Sequence, residues 1–77
     1  MSDSELREKL REIVAEVAEL DEVPNDTPFK DLGIDSMMAI EIIADVERTY
    51  SIKVPEEELE RVIDLNSVVA LVQSKLG

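Results

Sequence analysis

Asp31-Leu32-Gly33-Ile34-Asp35-Ser36-Met37-Met38 is the stretch whose reading decides the fold. A glycine-containing loop ends in Asp-Ser, and an apolar helical run begins at once. Asp35 is a good N-cap, and its charge suits the positive end of a helix. The chain has no Cys and no His, and no second group is placed to activate the Ser36 hydroxyl. A serine displayed in this way points to a site of attachment rather than a nucleophile.

Working outward, the spacing predicts a second helix over about Ser36 to Tyr50. Ile40, Ile43, Val46, Glu47 and Tyr50 fall on or beside one face, with Ile42 close to it. Met38, Glu41, Asp45 and Arg48 mark the opposite face, expected to be exposed. This helix is apolar around much of its circumference, so it should be the central one. Upstream, Pro24, Pro28 and Gly33 make residues 21–35 a long loop, which Phe29, Leu32 and Ile34 should pin down.

Before the loop, Leu6, Leu10, Ile13, Val14, Val17 and Leu20 form the stripe of a first helix over about Ser4 to Leu20. Ser2 is its candidate cap, with Glu5 reaching back. After the second helix, residues 51–54 make a brief connector with some strand-like alternation. Pro55 and the acidic run Glu56-Glu57-Glu58 open a short third helix that ends near Val62 or Ile63. Asp64 or Asn66 can cap a fourth, striped by Leu65, Val68, Val69, Val72 and Leu76. The expected fold is all-α: a four-helix bundle with three long helices, one short helix and a long loop between helices one and two.

Seventy-seven residues make one domain, residues 1–77, and 44% hydrophobic residues suffice for a small core. The net charge of -11 disfavours nucleic acid and anionic membranes and favours basic protein surfaces. No signal-peptide pattern opens the chain and no apolar run is long enough to span a bilayer. The expectation is a cytoplasmic monomer. A serine hydrolase is disfavoured, since there is no His for a triad and no Gly-x-Ser-x-Gly elbow. No twelve-residue Ca²⁺ loop occurs, so no dedicated metal site is expected.

Leu32-Gly33-Ile34-Asp35-Ser36-Met37 resembles the attachment motif of acyl carrier proteins. The likeness runs on through Glu41-Ile42-Ile43, Val46-Glu47 and Ile52-Lys53-Val54-Pro55 to Asp64-Leu65-Asn66-Ser67-Val68. It therefore covers essentially the whole chain. Asp-Ser alone is weak, whereas Gly-x-Asp-Ser at a loop-to-helix junction of an acidic four-helix chain is specific. The resemblance implies 4′-phosphopantetheine attached covalently to Ser36 through a phosphodiester, its thiol holding acyl groups as thioesters. It implies a non-catalytic carrier, modified by a phosphopantetheinyl transferase. Its further partners would be acyl-loading, condensing and acyl-transfer enzymes with basic docking surfaces, in fatty acid, polyketide or specialised lipid biosynthesis. The physical reading agrees, because a helix N-terminus favours a phosphate. A D-alanyl or other specialised carrier, and a helical interaction module without prosthetic group, are the alternatives.

Further residues follow from the same resemblance. Asp35 is a cap that could also serve the transferase's metal. Glu41, Asp45 and Glu47 are a solvated face or a partner surface. Met37 takes a position where the family usually has Leu. Met38 stands where fatty-acid carriers are often acidic, and by spacing is expected to be an exposed partner contact, with core filling as the alternative. Arg48 and Arg61 add charge where housekeeping carriers are acidic or neutral. The motif lacks the Gly-Gly-x-Ser pattern of peptidyl carriers. An acyl pocket is expected between helices two, three and four, lined by Ile42, Val46, Leu59, Val62 and Val68.

Overall fold

A computed structural model of the chain describes residues 2–76. The first helix, α1, runs Asp3–Ala18, and the Ser2 hydroxyl caps it by accepting the Glu5 N–H at 3.2 Å. It stops short of Leu20 because Glu19 turns left-handed, with φ 55°. The Glu19 and Leu20 N–H groups both donate to the Ala15 carbonyl, which closes the last turn.

The second helix, α2, runs Ser36–Tyr50 as the sequence predicts. Asp35 Oδ1 accepts the Met38 N–H at 2.9 Å. The third, α3, runs Leu65–Leu76 and is the predicted fourth helix. Of its two candidate caps, Asp64 holds the position: its Oδ1 accepts the Ser67 N–H at 2.8 Å, and Ser67 Oγ accepts the Asp64 N–H at 3.0 Å. Asn66 instead accepts a hydrogen bond from Arg7 at 2.6 Å, tying α3 to α1.

The predicted short helix is a 3-10 helix, Glu56–Arg61, and a further 3-10 turn, Phe29–Leu32, lies inside the long loop. No strand occurs among the described residues. The 51–54 connector is held by a side chain instead: Glu47 Oε2 accepts the Val54 N–H at 2.8 Å.

Leu10, Val14, Ile42, Val46, Leu65, Val68 and Val72 are fully buried and bring α1, α2 and α3 into one core. Each such side chain contributes about 1.5–3 kcal/mol on burial. Phe29 and Ile34 are also buried, and Leu32 packs against the same cluster. The long loop is thus pinned by the three apolar residues read for that role.

Two parts of the second-helix reading are corrected. The central helix is α1, which packs against both α2 and α3, whereas α2 and α3 scarcely meet. Ile40, expected on the core face, is 56% exposed. Met38, expected to be exposed, is half-buried against the core beside Ala39. On a 3.6-residue turn Met38 lies only about 40° from the fully buried Ile42, whereas Ile40 lies about 160° from it.

Candidate functional site

The loop before Ser36 is built by backbone bonds. Phe29–Leu32 winds one 3-10 turn, and the Gly33 N–H closes it onto the Lys30 carbonyl at 3.3 Å. Gly33 has φ 81°, a conformation open to glycine. A Cβ there would meet nothing within 4 Å, so the dihedral and not lack of space calls for glycine. The Ile34 N–H then donates to the Phe29 carbonyl at 3.0 Å, and the chain enters α2. The Phe29 N–H donates to the Ile63 carbonyl at 2.7 Å, which brings the 62–64 linker to the same end of the molecule.

Ser36 is the first residue of α2 and is exposed. Two open clefts meet at it. One, of about 500 Å³, is lined by the loop residues Pro28, Phe29 and Lys30, by Asp35 and Ala39, and by Val62 and Ile63 across the gap. The other, of about 430 Å³, runs between Ile40 and Ile43 of α2 and Glu56, Leu59 and Glu60 of the 3-10 helix. Ser36, Ala39 and Val62 belong to both.

The five pocket candidates divide. Leu59 and Val62 line the second cleft. Ile42, Val46 and Val68 are fully buried members of the closed core and line neither cleft beside Ser36. Ile40 and Ile43 take that part of the wall. The reading missed Pro28, Phe29, Lys30 and Ile63 as neighbours of Ser36. Pro28 before a Phe-Lys-Asp-Leu-Gly turn was the available signal for the first cleft.

The surface candidates also divide. Met37 is 73% exposed and Glu41 is exposed. Asp45 pairs with Arg48 at 2.9 Å on the surface. Glu47 is half-buried and committed to the connector. Asp35 is exposed, with one carboxylate oxygen engaged in the cap. Among the described residues no group of three or more Asp, Glu, His or Cys is arranged to hold a metal ion.

An acidic helical bundle with an exposed serine at the head of its second helix has the form of a carrier for a covalently attached group. The sequence pattern of the family described as "Phosphopantetheine attachment site" matches residues 8–73. The chain is 43% identical over 74 residues to polyketide-8 synthase acyl carrier protein 2 of Streptomyces avermitilis, covering 92% of this chain and 85% of that one. It is 42% identical to the anthracycline acyl carrier protein DpsG of Streptomyces peucetius, covering 99% and 92%. The crystal structure of an acyl carrier protein from Thermotoga maritima superposes with a TM-score of 0.84 at 27% identity, covering 99% of this chain and 92% of that one. The chain belongs to the acyl carrier protein family. Its role is to carry acyl groups, and its cofactor is phosphopantetheine.

The junction fits that group. The Ser36 hydroxyl is open to a modifying enzyme, a helix N-terminus suits a phosphodiester, and clefts on both sides give an arm room to lie. When attached, the arm supplies the thiol on which acyl groups are held as thioesters, a group this Cys-free chain lacks.

Proposed function

We propose that Ser36 carries the arm and that the domain, residues 1–77, shuttles acyl intermediates of polyketide synthesis between enzymes. The observation that carries the assignment is the exposed Ser36 at the first turn of α2, where two clefts meet. The polyketide branch rests on the likeness to the polyketide-8 synthase acyl carrier protein 2 of Streptomyces avermitilis. The domain performs no catalysis itself. It is loaded by a phosphopantetheinyl transferase and then visits acyl-loading, condensing and acyl-transfer enzymes.

These partners would meet α2 beside the serine. Met37 and Ile40 offer exposed apolar contact there, with Glu41 and Asp35 for basic partner groups. Asp45 and Arg48 lie further along the helix as a surface ion pair. Leu59 and Val62 would receive the proximal part of a cargo chain in the second cleft. The reading includes a cytoplasmic monomer: the charge of -11 sets copies of the chain against one another, and no described helix is long and apolar enough to cross a membrane.

The Ser36→Ala variant tests the assignment. Asp35 and not Ser36 supplies the cap, so stability should stay within about 0.5 kcal/mol of wild type. Incubation with coenzyme A and a broad-specificity transferase should add one arm to the wild type and none to the variant. An arm on the variant overturns the assignment.

A further inference from the structure

The two clefts that meet at Ser36 differ in charge: the first holds one cation and one carboxylate, the second two carboxylates. Lys30 lines the first, and no hydrogen bond or ion pair among the described residues engages its side chain. Glu56 and Glu60 line the second, and no described cation pairs with either. Asp35 also borders the first cleft, but Oδ1 of its carboxylate is committed to the Met38 N–H. The remaining lining there is neutral, with Ile63 57% exposed at the rim.

This asymmetry matters for an arm joined through a phosphodiester, which keeps one negative charge near its root. On a chain of net charge -11 a further negative group is repelled on balance, so a nearby cation has weight. We propose that Lys30 is a positioning residue for the arm: it draws the phosphodiester into the cleft of Pro28, Phe29 and Ile63 and away from the Glu56 and Glu60 side. The resting arm then lies over residues 28–30, and the Ile40–Leu59 cleft stays open. Lys30 acts by charge across an exposed groove, so its effect weakens with salt. The inference rests on Ser36 as the attachment site.

The test uses the pantetheinylated protein with a nitroxide joined to the arm's thiol. Intact and tandem mass spectra first locate the arm. Paramagnetic broadening is then read at the methyl groups of Ile63 on one side and Ile40 on the other. In the wild type Ile63 should broaden more. Lys30→Glu should lower the ratio of Ile63 to Ile40 broadening about two- to fivefold, the range an exposed charge contact supports. Lys30→Arg should keep the wild-type ratio, and high salt should move it toward that of Lys30→Glu. Lys30 is exposed and unpaired, so the unmodified variants should melt with the wild type. An arm on Ser36 with a ratio that Lys30→Glu leaves unchanged overturns this inference alone. An arm found on another residue overturns it together with the Ser36 assignment.

Discussion

The core and the wall of this molecule are built differently. Between α1, α2 and α3, Leu10, Val14, Ile42, Val46, Leu65, Val68 and Val72 are fully buried. The 3-10 helix Glu56–Arg61, which forms one side of the cleft at Ser36, has no buried residue at all. It is held at its edges. The Lys75 ammonium sits 2.9 Å from Glu58 Oε2, and the Glu47 carboxylate anchors the connector that leads into it. Close packing gives the domain its stability, and the wall beside the serine has few buried contacts to oppose local opening. A carrier needs both: a scaffold that survives many encounters and a side that can admit cargo.

The sharpest way to break this comparison is to empty the core. Leu10→Ala should cost about 2–5 kcal/mol, the range for a fully buried leucine, and should unfold much of so small a domain at moderate denaturant. Chemical denaturation read by helical circular dichroism checks it. Met38→Asp comes next. Met38 packs half-buried on the core, so a carboxylate there should cost about 1–3 kcal/mol by the same measurement. A loss under about 0.5 kcal/mol would return Met38 to the surface and undo the face assigned to α2.

The wall should respond less. Leu59→Ala removes the same atoms as Leu10→Ala, but from a half-buried site that lines a cleft. About 1 kcal/mol or less is expected, because area already open to water contributes little on folding. Equal losses at Leu10 and Leu59 would mean that the wall is as tightly built as the core. The smallest effect is one of pH. Burial holds the Tyr50 phenol above its ordinary value of 10.0. The folded state therefore keeps a proton that the unfolded state gives up. The stability from this group is complete below pH 10 and falls as pH rises through the folded pKa. Melting curves on either side of pH 10, compared with Tyr50→Phe, isolate that loss.

The junction was the most legible part of the sequence. Asp35 before an apolar run and Gly33 in the loop marked the start of α2 at Ser36, because capping and left-handed turns are local chemistry. Phe29, Leu32 and Ile34 were readable as anchors for a related reason: apolar residues in a Pro-interrupted loop have nowhere else to go. The orientation of α2 was not legible. Ile40 and Ile43 form one stripe, Met38, Ile42 and Val46 another, and a helix apolar on so many sides does not say which stripe meets α1. The clefts were only half legible. Leu59 and Val62 were found, and Lys30 is placed by the local turn before Gly33, but Ile63 comes to this end of the molecule through the Phe29 to Ile63 backbone bond, a pairing across the fold that no spacing rule announces.

The central claim is that this core exists to present one serine. Its most direct test is peptide mapping of the wild-type protein after reaction with coenzyme A and a phosphopantetheinyl transferase. The account predicts a single arm, on the peptide containing Ser36, at full conversion. A protein that stays unmodified, or an arm on Ser51, Ser67 or Ser74, would contradict it.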